Sequence, residues 1–353
     1  MFATQNWYCA CRSDELGSAL KSVRIIKQDL VLFRNQQGLA SCIGAMCAHR
    51  GGNLADGRCV NGRVQCPWHG WQYSGTGQCE LIPSLGEAGR IPGLARVPAY
   101  RVHEADGIVY VWMNAEVEPG WKPDTHEFLN ARYQVSAPSR LQLGNYINTI
   151  ESACDDSHVH LAHRNTIGRG FPARLAPITN VVVNEDERYV AGDMRWPSDL
   201  KRRASFFDAW LNKQLFGLTE DSGTHDKTFR VELTGLVIHQ MRKSDGHDFV
   251  VYAFITPVDE THNIFVSGVV DTNPNRSLIG NLIYLAGFRN LASKVFDEDE
   301  AVISSALSET LPGGHPCPVS VNADAIGLGF RRLYANQVRN EGGQPAWPVA
   351  HSK

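Results

Sequence analysis

Two short stretches of this chain carry the residue types of metal chemistry. Cys47-Ala48-His49 and Cys66-Pro67-Trp68-His69 are a Cys-x-His pair and a Cys-x-x-His pair with sixteen residues between them. Each supplies one thiolate and one imidazole. That division suits a two-iron, two-sulfide cluster in which two cysteines hold one iron and two histidines hold the other. Exchanging two thiolates for neutral imidazoles lowers the negative charge on such a cluster and raises its potential. Gly51, Gly52, Pro67 and Gly70 fit two tight loops closing over a metal. Cys2His2 is also a zinc ligand set. Zinc sites more often take both cysteines from one knuckle and both histidines from another segment, whereas here each knuckle is mixed, which favours the iron–sulfur reading.

The second stretch is Asp155-Asp156-Ser157-His158-Val159-His160-Leu161-Ala162-His163. On an ideal helix, His158 and His163 lie about 140° apart, so a regular helix does not aim both at one ion. A bulge or a helix end would do so. A histidine pair plus a carboxylate from elsewhere makes the facial triad of non-haem iron(II), which leaves positions open for dioxygen. Three imidazoles would suit zinc better than oxygen-activating iron, so one of the three histidines is expected as a solvated or hydrogen-bonded side chain. A run of four acids, Asp297-Glu298-Asp299-Glu300, would by itself be a solvated helix face.

These stretches need two scaffolds. A chain of 353 residues is long for one core and comfortable for two domains. Its 43% hydrophobic and 20% charged content is that of a globular protein. A net charge of −3 gives no basic field for nucleic acid. The first seven residues have neither a basic nor an apolar signal region, and the apolar run 278–288 is broken by Asn281 and too short for a bilayer. No membrane partner is therefore expected. Of nine cysteines, the seven outside the knuckles (Cys9, Cys11, Cys42, Cys59, Cys79, Cys154, Cys317) have no framework spacing, which suits a reducing cytoplasm. Cys9 and Cys11 are expected as buried or partly exposed thiols.

Between residues 5 and 115, short apolar runs at 22–26, 30–33 and 108–112 alternate with turn signals at 35–38 and at Asn61-Gly62, a type I′ pair. This predicts a small all-β domain. Residues 116–353 predict an α+β domain. A helix is expected over 145–162, with Ile147, Ile150, Cys154 and Leu161 on its buried face. Antiparallel strands follow at 181–183, 189–194, 229–241, 248–255 and 264–270, with turns at 184–186 and 244–246, then a long helix over 277–308 and a last one over 324–337. Strands followed by helices argue for a helix packed on a curved antiparallel sheet.

The two metal stretches together resemble those of the Rieske non-haem iron oxygenases (terminal oxygenase components), and the resemblance covers both domains. Asn6-Trp7-Tyr8, the loop 53–57 and the tail from Val321-Asn322-Ala323-Asp324 to Arg331-Arg332 are most similar to the vanillate O-demethylase and dicamba monooxygenase branch. The resemblance implies a helix-grip-like second domain with an antiparallel sheet. It implies that Cys47, His49, Cys66 and His69 hold a Rieske [2Fe-2S] cluster. The family's Asp-x-x-His-x4-His is matched by Asp155, His158 and His163, which implies that the two histidines hold a mononuclear Fe(II) and that His160, outside the pattern, is a solvated or hydrogen-bonded side chain. The late stretch Phe296-x-Glu298-Asp299-x-x-Val302 implies Asp299 as third ligand, with Asp297 in reserve. Asp155 is implied to join His158 to His69 of the partner subunit and so connect the electron path, leaving Asp156 as a plain helix-face aspartate. Where many relatives carry Asn, three residues before the bridging aspartate, this chain has Ser152, so no contact of that Asn is carried over.

The implied activity is that of a terminal oxygenase. It takes electrons from an NAD(P)H-dependent flavin and iron–sulfur reductase, or from a reductase plus ferredoxin. With dioxygen it hydroxylates, or oxidatively O- or N-demethylates, a small or medium aromatic substrate, in a homotrimer. An alicyclic or steroid-like substrate is the alternative, in which the segment 196–217, rich in Phe206, Phe207, Trp210, Leu211 and Phe216, caps a large pocket; the same segment equally suits subunit packing. A zinc-stabilised binding protein is the non-oxygenase alternative.

Overall fold

The computed structural model describes residues 1–86, 89–130, 134–137, 139–168, 175–196, 225–242, 248–271, 278–305 and 319–344. They belong to two compact units, Phe2–Thr125 and His126–Lys353 with Met1. The expected cap at 196–217, apart from Trp196, the turn at 244–246 and Cys317 lie outside the described residues. No described helix is long and apolar enough to cross a membrane.

The first unit is all-β, as its turn-rich sequence predicts. Its strands are β1 (Trp7–Arg12), β2 (Lys21–Ile25), β3 (Gln28–Arg34), β4 (Ala40–Gly44), β5 (Arg58–Val60), β6 (Arg63–Gln65), β7 (Gln72–Tyr73), β8 (Cys79–Leu81), β9 (Ala99–Tyr100), β10 (Val102–Ala105) and β11 (Ile108–Trp112). They pair into three antiparallel sheets, β1-β11-β10, β2-β3-β4-β9 and β5-β6-β7-β8. Asn61 and Gly62 both have positive φ, 49° and 70°, the type I′ geometry read from the sequence. Val31, Phe33, Ile43, Leu54, Val64 and Tyr73 form a fully buried core beneath the last two sheets. Cys9 and Cys11 are buried thiols on β1. The core anchors two loops, one after β4 and one between β6 and β7, and these carry the cysteine–histidine knuckles.

The second unit is built on an antiparallel sheet. Its strands are β12 (Gln134–Ser136), β13 (Arg140–Leu143), β14 (Thr179–Asn184), β15 (Tyr189–Trp196), β16 (His225–Glu232), β17 (Leu236–Arg242), β18 (Asp248–Pro257) and β19 (His262–Asp271). The order is β12-β19-β18-β17-β16-β15-β14, with β13 also paired to β19. The helices are α1 (Tyr146–Ala153), α2 (Val159–Ala162), α3 (Leu278–Ser305) and α4 (Ala325–Asn340). Helix α4 packs on β14–β16 and on α1. Gly327 and Gly329 permit the close approach: a Cβ on Gly327 would lie 2.8 Å from Glu151 Cγ, and one on Gly329 2.7 Å from Val190 Cγ1. Arg331 on the same helix clamps Glu151 of α1 through two hydrogen bonds of 2.6 and 2.7 Å.

Two expectations are corrected. The single strand over 229–241 is a hairpin: β16 ends at Glu232, and Gly235 turns the chain at φ 83° with its N–H donating to the Glu232 carbonyl at 2.9 Å. A Cβ there would sit 2.2 Å from the Ile255 carbonyl oxygen, so glycine is what lets the turn tuck against β18. The single helix over 145–162 is two helices. Asn145 caps α1, accepting from the N–H groups of Ile147 and Asn148. After Cys154, the Asp155 carboxylate accepts from the N–H and hydroxyl of Ser157 at 2.7 and 2.6 Å. Such a local side-chain turn competes with continued helix.

Candidate metal centres

The two knuckles of the first unit fold alike. The Cys47 N–H donates to the Gly52 carbonyl, and the Gly51 N–H donates to the Cys47 carbonyl. Cys66 has the same relation to Trp71 and Gly70. Gly51 and Gly70 share φ 71°, the left-handed region each turn requires. The turns bury both thiols and leave both imidazoles exposed. The rings of His49 and His69 are 4.6 Å apart, centroid to centroid. Trp71 stacks on His49 at 4.6 Å, and Trp68 on His69 at 4.9 Å. Tyr73, absent from the sequence reading, places its hydroxyl 3.1 Å from Cys47 Sγ and accepts from the Ala48 N–H at 3.2 Å.

In the second unit the break after α1 solves the angular problem of the histidine pair. His158 stands at the position just before α2 and His163 at the position just after it, so the rings flank one turn rather than ride a regular helix. Their centroids are 5.2 Å apart. Helix α3 brings up Asp299, whose Oδ1 lies 3.5 Å from His158 Nε2 and 3.0 Å from His163 Nε2. The ligand atoms of the three residues all lie within 4.8 Å of one another. Burial would raise the Asp299 carboxyl, but the two histidines hold it below its ordinary range.

The four acids of α3 divide by face. Asp297 and Glu300 clamp Arg140 at 2.9 and 2.7 Å, and Glu300 also accepts from the Leu143 N–H. Glu298 accepts from His163 Nδ1 at 3.0 Å and from the Thr166 hydroxyl at 2.5 Å. This fixes the proton on Nδ1 and turns Nε2 toward Asp299. Nothing in the sequence alone separates Glu298 from its acidic neighbours. His160 faces away, its Nδ1 at 2.9 Å from the Ser157 carbonyl. Asp155 is committed to Ser157, and His158 Nδ1 has no hydrogen-bond partner among the described residues.

The reading of Asp156 as a helix-face residue is overturned. With the helix broken, Asp156 turns inward and pairs with Lys227 Nζ at 2.5 Å, the two side chains being only 7% and 4% exposed. Lys227 also lies over the Phe229 ring at 4.4 Å. His239 Nε2 donates to the Ala153 carbonyl at 2.6 Å. Its Nδ1 faces Asp156 at 4.0 Å. The available signal was phase: Lys227 shares its strand face with Phe229 and Val231, both buried. Asp156, Lys227, His239, the two histidines and Asp299 border one cavity of about 180 Å³, otherwise lined mainly by apolar side chains.

Burial, with Lys227 nearby, pushes the His239 imidazole down to about 3. The unfolded chain binds a proton at this site below its ordinary range while the folded chain does not, so stability is full above that range and falls as pH drops toward 3. Between pH 7 and pH 5 the loss from this group is roughly 2 kcal/mol. Urea unfolding at both pH values checks it: His239→Gln should lose about 2 kcal/mol less than wild type over the interval.

Family models match both units. The first 101 residues contain a Rieske [2Fe-2S] domain, matched over 6–101, and residues 144–340 match the vanillate O-demethylase oxygenase C-terminal domain. The matches define the class: a Rieske [2Fe-2S] domain joined in one chain to an oxygenase C-terminal domain. With more than half of its length in the second match, the chain belongs to the vanillate O-demethylase oxygenase C-terminal domain family. An iron–sulfur domain over 6–101 sets aside the zinc-stabilised alternative.

Protein TIC 55 of Arabidopsis thaliana is 28% identical over 86% of this chain and 53% of its own length. The oxygenase component of dicamba O-demethylase from Stenotrophomonas maltophilia is 30% identical over 46% of this chain and 48% of its own. The chain thus spans about half the length of each of these two relatives. Dicamba monooxygenase bound to 3,6-dichlorosalicylic acid has the same fold, with a TM-score of 0.78 at 20% identity over 97% of this chain and 99% of that one.

Proposed function

We propose that this chain is the terminal oxygenase of a multicomponent system that monooxygenates a small or medium aromatic molecule, by hydroxylation or by oxidative O- or N-demethylation. The observation that carries the reading is the convergence of His158, His163 and Asp299 on one side of an apolar cavity. Two imidazoles and one carboxylate are the ligand set of oxygen-activating iron(II). In this proposal the Rieske domain covers about residues 5–115 and the catalytic domain 116–353. Cys47, His49, Cys66 and His69 would hold the cluster, the two thiols being buried and the two imidazoles exposed. His158, His163 and Asp299 hold the iron. Asp155 orients imidazoles between subunits of a homotrimer, accepting from His158 and from His69 of the partner subunit. The uncommitted Nδ1 of His158 supports that role, which requires the carboxylate to leave Ser157. When bound, the cluster supplies single electrons and the iron activates dioxygen.

The protein's own groups then divide the remaining work. Glu298 keeps His163 in one tautomer, and the apolar walls hold the substrate and keep out bulk water. A methyl group hydroxylated on oxygen or nitrogen leaves as formaldehyde without a further catalytic group. An NAD(P)H-dependent reductase, alone or with a ferredoxin, is the electron source in this proposal, and the cytoplasm is the compartment, supported by the cysteine usage. The test is oxygen consumption with a competent reductase across a panel of methoxylated and N-methylated aromatics. The expected result is substrate-dependent uptake matched by hydroxylated product or formaldehyde. Uptake that never depends on substrate, from protein carrying all its iron, contradicts the reading.

Two variants test the supporting residues. Glu298→Gln loses the charge that orients His163 and is expected to weaken iron(II) affinity by roughly 10- to 100-fold, read by metal titration of the apoprotein. Tyr73→Phe removes a hydrogen bond to a cluster sulfur and is expected to lower the cluster potential by on the order of 50 mV, read by EPR-monitored redox titration.

A further inference from the structure

We propose that the cavity takes an uncharged, largely apolar substrate bearing one hydrogen-bond donor, a hydroxyl or amide N–H received by Gln142, and that it disfavours the carboxylated analogue. This names the substrate class of the oxygenase site and rests on that reading.

Charge is the first argument. Asp155, Asp156, Asp299 and Lys227 are the carboxylates and the only lysine or arginine among the described residues lining the cavity. Three carboxylates and one ammonium leave two negative charges, which iron(II) cancels. Lys227 is already engaged by Asp156 and lies over the Phe229 ring. A substrate carboxylate entering here gives up its water and gains no uncompensated cation, which is unfavourable.

Gln142 is the second argument. It sits on β13, is 1% exposed and lines the cavity, and its Oε1 has no hydrogen-bond partner among the described residues. A buried acceptor left unmade is costly, and such groups are normally satisfied. The cavity is otherwise walled by groups such as Val237, Met241, Val251, Phe265 and Phe296. A donor on a bound ring would complete Gln142, while the rest of the ring meets apolar side chains. A carboxylate offers that oxygen only repulsion.

The experiment uses the iron-loaded full chain and three probes with a common ring: 3-methoxyphenol, 1,3-dimethoxybenzene and 3-methoxybenzoate. Binding is measured by titration calorimetry near neutral pH, with iron content and the Rieske EPR signal recorded on the same sample. Wild type is expected to bind the phenol about 10-fold more tightly than the dimethoxy compound and roughly 100-fold more tightly than the benzoate. Gln142→Leu should close the gap between the phenol and the dimethoxy compound. Asp156→Asn, which strips Lys227 of its counter-charge, should raise benzoate binding relative to the phenol by about 10-fold. Should either variant fail to fold, the wild-type ranking alone decides. Iron-loaded wild type that binds the benzoate as tightly as the phenol, or that binds none of the three, overturns this inference and leaves the oxygenase reading standing. A persistent phenol preference in folded Gln142→Leu also overturns it. Protein that cannot be loaded beyond the cluster irons counts against the oxygenase reading itself.

Discussion

Asp299→Ala is expected to reduce the protein from about three irons per chain to about two, with the Rieske EPR signal intact and oxygenation lost by at least about 1,000-fold. Loss of a mere orienting partner costs 10- to 100-fold in metal affinity, and loss of a direct ligand from a three-residue site costs more. Asp297→Ala is the matched control. Asp297 points to Arg140 at 2.9 Å, not to the histidines, so its removal should leave the iron count unchanged. Iron analysis and EPR on the two variants therefore decide between neighbouring acids that the sequence leaves side by side. Iron retained in Asp299→Ala and lost in Asp297→Ala would reverse the assignment.

The second large effect is on the cluster. His69→Cys exchanges a neutral imidazole for a thiolate and adds negative charge at the exposed side of the site. The potential is expected to fall by a few hundred millivolts, toward the roughly −400 mV of all-cysteine clusters. His49→Cys, on the matching knuckle, should behave alike, because the two loops share one hydrogen-bond pattern and one glycine φ of 71°. Redox titration of both variants gives the answer. A potential within a few tens of millivolts of wild type in both would mean that these histidines are not cluster ligands.

Much of this was legible in the chain because the informative residues are local. The knuckles pair cysteine, histidine and glycine within six residues, and such loops leave few conformational choices. The type I′ turn at Asn61-Gly62 was visible for the same reason. The helix over 145–162 was misread because apolar spacing runs straight through the break. Leu161 continues the periodicity of Ile147 and Ile150 yet is 68% exposed, while Asp155 and Ser157 form the turn that interrupts the helix. Pairs distant in sequence were out of reach. Asp156 and Lys227 are 71 residues apart, and the strand phase that puts Lys227 on the face of Phe229 and Val231 does not name its partner. The sorting of the four acids on α3 depends on Arg140, which lies 157 residues from Asp297. Glycine did signal a turn at Gly235, but the apolar residues on both sides made a continuous strand the simpler pattern.

The most direct test of a two-centre oxygenase is an optical and EPR spectrum of the purified protein, with iron and zinc measured on the same sample. The expected result is a red-brown protein, a Rieske-type signal after dithionite reduction and about three irons per chain. The contradicting result is a colourless, zinc-loaded protein that takes up neither cluster nor iron on anaerobic reconstitution.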